Sequence, residues 1–299
     1  MESRDQALLP ELVVALRSGD WHVLDHDQLQ TDQDQGIAAV IARLTAAGRQ
    51  QLARHPGIES VGIGIPGLYY PTRGATRFLV NFREDWDMIP IAPFVGRELG
   101  LPTHLVNDAR AFGLAELRLG AGRGASSMVG LTLGTGIGGV LAIDGRIVQG
   151  HDGTAGELGH QTIDPDGPPC NCGNNGCLEA FARADRIAEA CGTATAGEAI
   201  NRARAGDKTA LAGLALVGRY LGVGIANAIV VLTPDRVVIG GGIAAAGDLL
   251  LEPIRAEVAR RVHVTSLGNV LIVTAELGTW AGAIGAAIHG AEMAQEAAA

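Results

Sequence analysis

The chain has 299 residues and a mass of 30.8 kDa, which is enough for about two lobes of ordinary domain size. Apolar residues make up 47% and charged residues 18%, which excludes a disordered chain, and 43 glycines without a Gly-X-Y period exclude a collagen. The formal net charge of −9, without any basic block, argues against binding to nucleic acid through its phosphates.

The sequence also lacks the signals of a membrane or secreted protein. It contains no run of about 18 consecutive apolar residues, so we expect no membrane span. The segment Met1–Asp5 carries acid early and is not followed by the apolar core of a signal peptide. We therefore expect a cytoplasmic protein that does not bind membranes.

The first half of the chain alternates between strand and helix patterns. The apolar spacing predicts strands at 11–17, 21–24, 58–65 and 103–106, and helices at 35–54, at 90–99 and after residue 108. Residues 18–20 are expected to form a turn, and residues 67–90 are predicted to be irregular.

The second half repeats this α/β pattern. It predicts strands at 127–133, 140–143, 236–239 and 270–274, a loop-rich stretch at 150–178, and helices up to 232, up to 262 and from 278. We therefore predict a duplicated α/β fold with a ligand cleft between two lobes. The first lobe is residues 1–107, completed by a C-terminal helix at 279–299, and the second is residues 108–278, with a metal loop at 159–178.

The strongest local signal is a histidine followed by three closely spaced cysteines, His160, Cys170, Cys172 and Cys177. Zinc favours four tetrahedral nitrogen and sulfur ligands, and this set fills all four positions. A zinc ion here would be structural, because no position remains for a reactive water. The alternative is three buried thiols without metal. Cys191 stands apart and is expected to lie in the core.

A polar pair, Asn107 and Asp108, follows a predicted strand and begins a helix. A carboxylate at the end of a strand can take a proton from a bound hydroxyl group as a general base. Asn and Asp are also the preferred residues for capping a helix N-terminus, so simple capping is the alternative.

Two glycine-rich turns are candidates for binding a nucleotide. In the turn at 134–139, Gly134, Gly136 and Gly138 would let backbone N–H groups approach an anion, and Thr135 adds a hydroxyl. The turn Gly240-Gly241-Gly242 follows a buried strand in the same way. Tight turning alone would also explain both segments.

Two carboxylates, Glu157 and Glu179, flank the metal loop. Carboxylates beside a rigid loop can accept hydrogen bonds from the hydroxyl groups of a polyol. The alternative is that they are solvated surface acids.

Taken in order, these segments resemble the ROK family of sugar kinases and sugar-responsive repressors. The resemblance rests on segments 62–67, 105–109, 132–139, 156–160, 176–179 and 238–242, and it covers the chain from about Val61 to its C-terminus. The family belongs to the actin-like ATPase superfamily, in which two ribonuclease H-like lobes enclose a cleft. The resemblance implies ATP-dependent phosphorylation of a hexose, an amino sugar or a related polyol, with ATP held as its Mg²⁺ complex, and it implies a homodimer or homotetramer.

The resemblance also implies individual roles. Asp108 would be the general base, and zinc would be structural on His160 and the three cysteines. The sugar would be held by Asn81, Asn107, Asp108, Glu157, His160 and Glu179. The phosphates would lie at the turn 134–139, and the triplet 240–242 would form the wall near the adenine.

The sequence departs from the family near its N-terminus. The kinases begin with a D-x-G-G-T-K turn that holds the ATP phosphates, and its expected place is residues 7–12, which read Ala-Leu-Leu-Pro-Glu-Leu. The motif's aspartate, both glycines and the lysine are missing, and Pro10 lacks a backbone donor. The alternative function is therefore a non-catalytic sugar-binding or regulatory protein. A DNA-binding repressor is not expected, because no helix-turn-helix segment precedes residue 11.

Overall fold

The computed structural model describes residues 11–17, 19–29, 35–79 and 84–298. Residues 7–10 of the expected phosphate turn, and Asn81, lie outside these ranges. Contacts divide the chain into two compact units. Unit 1 is Met1–Ala115 with Trp280–Ala299, and unit 2 is Glu116–Thr279.

Unit 1 consists of three strand pairs and their helices. Its elements are β1 (Glu11–Arg17), β2 (His22–Leu29), α1 (Ile37–Arg54), β3 (Val61–Ile65), β4 (Gly67–Tyr70), β5 (Ala75–Leu79), α2 (Ile91–Leu99), β6 (Thr103–Asn107), the start of α3 (Asp108–Leu119) and α9 (Ala281–Ala298). β1 and β2 are antiparallel, β3 and β6 are parallel, and β4 and β5 are antiparallel.

The core of unit 1 forms where α1 and α2 cover the β3–β6 pair. Val40 and Ile41 of α1 lie in one buried cluster with Ile63 of β3 and Leu105 of β6. These are the apolar positions that the helical and strand periodicities require. α9 also packs on β3, and there a side chain at Gly62 would come within 1.6 Å of the Ala286 carbonyl oxygen. Backbone therefore meets backbone at this contact.

A pair of histidines joins α9 to β6. The rings of His104 and His289 are edge-to-face, with centroids 6.5 Å apart. Burial, and then the proximity of His104, lower the pKa of His289 to about 4. The folded protein therefore holds His289 in its neutral form.

We expect this histidine to make the protein less stable in acid. An unfolded chain protonates His289 near pH 6.5, whereas the folded chain resists protonation down to about pH 4. The free energy of unfolding should therefore fall as the pH drops from 6.5 to 4, with a share of about 3 kcal/mol from this residue. Urea denaturation over this pH range checks the expectation.

The matched variant is His289→Leu, which cannot take up the proton. Its stability should depend less steeply on pH than that of the wild type, while acid effects on other groups remain common to both proteins. Equal slopes for the two proteins would contradict the assignment.

Unit 2 contains a five-stranded mixed sheet covered by helices. Its elements are β7 (Ser127–Leu133), β8 (Ile137–Ile143), β9 (Arg146–Ile147), α4 (Leu178–Ala182), α5 (Ala184–Cys191), α6 (Ala196–Arg204), α7 (Lys208–Leu232), β10 (Arg236–Gly240), α8 (Asp248–Arg261) and β11 (Leu271–Thr274). The strand order is β11-β10-β7-β8-β9, and β7, β10 and β11 run parallel. Strands buried on both faces explain the mostly apolar sequences of β7 and β10.

The helix α7 lies in the core of this unit. By length and composition it is long and apolar enough to cross a membrane, and it is the one such helix within the described ranges. However, 56% of its apolar stretch is buried, and it packs against α8, α5 and α6. Cys191, at the end of α5, is fully buried in the same core, as predicted.

A buried carboxylate joins the two ends of unit 2. Glu116 is 0% exposed, and its side chain accepts hydrogen bonds from the backbone N–H groups of Ala121 (2.8 Å), Glu276 (3.1 Å) and Leu277 (2.9 Å). Three donors can compensate for the burial of one carboxylate. The residues that begin and end the unit are thereby held together.

Three local predictions are wrong, the first being the strand predicted at 21–24, which runs over His22–Leu29. Residues 67–90 are not irregular throughout, because β4 and β5 form a bulged hairpin supported by the Thr76 hydroxyl, which donates to the Trp86 carbonyl. The return strand of the second half begins at Ile137 rather than at Val140, so Gly138 and Gly139 lie in β8. The turn itself is limited to residues 134–136.

Candidate functional site

The histidine and the three cysteines of the metal loop come together in unit 2. One ligand atom from each of His160, Cys170, Cys172 and Cys177 lies within 4.8 Å of all the others. The Sγ atoms of Cys172 and Cys177 are 3.7 Å apart, and His160 Nδ1 is 3.7 Å from Cys170 Sγ. The loop achieves this with a narrow turn in which the Cys170 N–H donates to the Asn174 carbonyl.

These distances fit a tetrahedral zinc ion. With metal–sulfur bonds of about 2.3 Å, the edges of the tetrahedron are about 3.8 Å long. The two measured edges are close to this length. Four thiolate and imidazole ligands are also the donors that zinc prefers over magnesium or calcium. The residues present therefore fit a closed structural zinc site.

The thiols have different acidities without a cation. Burial raises the pKa of Cys170 to about 12 and also raises that of Cys177, whereas the backbone N–H of Asn174 lowers the pKa of Cys172. Metal ligands must be deprotonated, so a divalent cation would have to supply the charge that stabilises three thiolates.

The turn between β7 and β8 is fixed from the side of α4 and α5. The Glu179 carboxylate accepts a hydrogen bond from the Ile137 N–H at 2.8 Å, and the Ala184 N–H donates to the Gly134 carbonyl at 2.9 Å. A side chain at Gly136 would come within 2.6 Å of the Glu179 carboxylate. Gly134 faces open space, and Thr135 is exposed. The turn is thus held rigidly while its tip remains accessible.

The second glycine segment lies beside the first. β10 runs parallel to β7, so that Gly240 is opposite Thr132, and the carboxyl ends of both strands lie at one edge of the sheet. Gly241 has φ = +83°, and a side chain there would come within 2.3 Å of the Leu133 carbonyl oxygen. Loops at the carboxyl ends of parallel strands are where α/β proteins bind ligands.

The close contact at Gly241 predicts a stability defect. Gly241→Ala should lower the free energy of unfolding by about 2 kcal/mol, because alanine is strained at this φ and its methyl group collides with backbone. The melting temperature should fall by about 4–8 °C. Gly242→Ala is the matched control, since open space surrounds that position and its φ is not left-handed. Equal melting temperatures for the two variants would contradict the predicted strain and backbone collision at position 241.

The segment that carries Glu157 and His160 packs directly on β8. A side chain at Gly139 would come within 2.1 Å of the Gly156 carbonyl, and one at Gly159 within 2.1 Å of the Ile137 carbonyl. Glycines at both positions therefore let this segment lie against the strand. Glu157 precedes a single 3-10 turn, Leu158–His160, and is half-buried.

In unit 1, Asn107 and Asp108 mark the end of β6 and the start of α3. Asn107 is 7% exposed, its Oδ1 accepts from the Arg110 N–H at 3.2 Å, and its Nδ2 donates to the Gly67 carbonyl at 3.1 Å. Asn107 therefore caps the helix. Asp108 is exposed and its Oδ1 accepts from the adjacent Ala109 N–H. Helix capping therefore explains Asn107. The role of Asp108 as a general base stays a prediction.

The predicted site residues fall into two groups by unit. Unit 1 holds the polar pair, and unit 2 brings together the metal cluster, Glu157, Glu179 and both glycine turns. The sequence patterns did not identify one residue beside these turns, Arg183. Arg183 follows α4 directly and precedes Ala184, which holds Gly134. The sequence does contain a signal for it, because Arg183 follows Glu179 by four residues, which is about one helical turn.

The ROK family model matches residues 11–292. The chain belongs to the ROK family. It is 36% identical over 293 residues to a glucokinase of Thermotoga maritima, covering 92% of each chain. A xylose repressor of Bacillus subtilis is 30% identical over 241 residues, which are 79% of this chain and 62% of the repressor.

Solved structures of this family have the same fold. A ROK hexokinase of Thermus thermophilus has a TM-score of 0.80 and 31% identity, covering 96% of this chain and all of the hexokinase. A ROK glucokinase of Streptomyces griseus was solved with glucose and AMPPNP. It has a TM-score of 0.79 and 26% identity, covering 95% of this chain and 99% of the glucokinase. The prediction of an α/β, actin-like ATPase fold is confirmed.

Proposed function

We propose that this ROK protein is an ATP-dependent kinase of a hexose, an amino sugar or a related polyol. The observation that carries the proposal is the similarity to a glucokinase across 92% of both chains. It is supported by the related glucokinase structure that contains glucose and AMPPNP, a sugar and an ATP analogue. The residues implied for the sugar side, Asn107, Asp108, Glu157, His160 and Glu179, are all present in this chain.

In the proposed reaction, the Asp108 carboxylate takes the proton of a sugar hydroxyl group. The hydroxyl oxygen then forms a bond to the terminal phosphorus of ATP, and the bond from that phosphorus to the bridging oxygen breaks, which releases ADP. The turn at 134–136 would hold phosphate oxygens through its backbone N–H groups, since residues 137–139 are paired in β8. Phosphoryl transfer depends mainly on such positioning and on charge neutralisation.

Zinc on His160 and the three cysteines would order the sugar side of the site. Because His160 Nδ1 faces Cys170 Sγ, the imidazole would keep Nε2 for a substrate hydroxyl group. A histidine fixed through one nitrogen has a defined tautomer and ring orientation. Glu179 contributes in the same region, with one oxygen on the Ile137 N–H.

A coupled assay of ADP release over a panel of sugars tests the proposal. We expect turnover with at least one hexose or amino sugar. Absence of turnover with every sugar, together with clear sugar binding by calorimetry, would contradict the kinase function.

The second candidate is a non-catalytic sugar-binding or regulatory protein. The observation that favours it is the missing phosphate motif at residues 7–12. Xylose repressors among the relatives make such a role plausible for this fold. Calorimetry with the Mg²⁺ complex of AMPPNP discriminates the two candidates, because tight binding would count against the second.

A further inference from the structure

Arg183 lies where the backbone of α4 and α5 meets the turn between β7 and β8. Its N–H donates to the Glu179 carbonyl at 3.2 Å, and the next residue, Ala184, donates to the Gly134 carbonyl at 2.9 Å. The arginine is therefore attached by its backbone, on either side, to Glu179 and to the tip of the turn.

The negatively charged carboxylate of Glu179 lies beside this turn. Glu179 accepts from the Ile137 N–H, and one of its oxygens is so close to Gly136 that a side chain would not fit between them. A phosphate group bound at this turn would be repelled by that carboxylate. A positive charge close to Glu179 would offset this repulsion.

Arg183 is placed to supply this charge. The hydrogen bond to Asp185 raises the pKa of Arg183, and the negative charge of Glu179 raises it further. The guanidinium is therefore always charged. Its Nε donates to Asp185 at 2.7 Å, but Asp185 is 64% exposed, so this ion pair is weak. Nη1 is buried without a hydrogen-bond partner within the described residues, and the side chain as a whole is 14% exposed. The guanidinium thus has unused donors.

We propose that Arg183 binds phosphate oxygens of the phosphate donor held at the turn 134–136. The proposal rests on the proposed kinase function. Arginine binds phosphate through two parallel N–H groups, which suits a site where a flexible lysine is missing. The chain has one lysine, Lys208, and it begins α7. The shared chemistry of the ligand is a phosphoanhydride chain, from a nucleoside triphosphate or from inorganic polyphosphate.

Calorimetry with two probes tests the proposal, namely AMPPNP with Mg²⁺ and inorganic tripolyphosphate with Mg²⁺. Arg183→Gln should weaken the binding of whichever probe the wild type binds by about tenfold or more, because a charge-assisted pair is lost. Sugar affinity and zinc content should not change. Arg183→Lys keeps the charge without the planar fork and should show a smaller loss.

Arg186→Gln is the matched control. Arg186 lies in α5, three residues after Arg183, also pairs with one exposed carboxylate and also has one buried nitrogen without a partner within the described residues. It should bind both probes like the wild type. If Arg183→Gln does not fold, Arg183→Lys decides the question on its own.

The outcomes separate this inference from the kinase proposal. Unchanged probe affinity in the Arg183 variants, alongside sugar-dependent turnover by the wild type, would overturn the inference and leave the kinase function intact. Failure of the wild type to bind either probe would overturn both. The probe whose binding is weakened identifies the source of the phosphate.

Discussion

Replacing Asp108 with asparagine is expected to abolish sugar phosphorylation while leaving sugar affinity within about twofold of the wild type. Asparagine has the same shape and keeps an oxygen that can accept the Ala109 N–H, but it cannot take up a proton. Loss of a general base typically costs about 100-fold to 10,000-fold in rate. Helix α3 should remain intact, because Asn107 and not Asp108 caps it through the Arg110 N–H.

The measurement is steady-state ADP release together with sugar binding by calorimetry. The matched control is Asp248→Asn, which removes a carboxylate from the first turn of α8, where the side chain is 79% exposed. The control should keep full activity. Turnover by Asp108→Asn at a rate near that of the wild type would remove Asp108 as the base.

The second large effect is expected at the metal loop. Cys172→Ser should remove bound zinc, since serine is a much poorer zinc ligand than a thiolate. Without the ion, the loop between Leu158 and Leu178 loses the bonds that hold Cys170 and Cys177 together. Because metal binding contributes directly to folding, the melting temperature should fall and sugar affinity should weaken.

Metal content by plasma emission and melting temperature by calorimetry check this expectation. Cys191→Ala is the control, because it also removes one cysteine but lies in the core of unit 2, away from the cluster. It should keep one zinc per chain. Substoichiometric zinc in the wild type, or full zinc in Cys172→Ser, would refute the site.

The elements of this fold could be predicted wherever the apolar periodicity was strong. The strand Ser127–Leu133 was predicted with its observed ends, and the helix Ile37–Arg54 within two residues. The hairpin β4–β5 was missed, since its strands have four and five residues, a bulge interrupts their pairing, and Pro71 and Gly74 give the segment the appearance of a loop. Its support comes from the carbonyl groups of Trp86 and Ile89, which lie outside the hairpin, 10 and 13 residues after Thr76.

The glycine run at 134–139 shows a different limit. The sequence suggested one continuous turn, but Gly139 belongs to a strand and is required because the Gly156 carbonyl passes close to it. A contact between segments that are far apart in sequence leaves no periodic signal. The same reason hid Arg183, whose importance depends on the contact between Ala184 and Gly134. The four metal ligands were evident because their spacing is itself the signal.

The C-terminal helix has a consequence for how the chain is completed during synthesis. Unit 1 includes residues from both ends of the chain, and α9 closes it by placing its backbone against Gly62 of β3. Unit 2 is continuous, and Glu116 joins its beginning to its end. Domains generally fold as units once their residues have emerged. The unit that begins the chain is therefore the last to be finished, and until residue 290 leaves the ribosome the glycine face of β3, at Gly62, has no cover from α9.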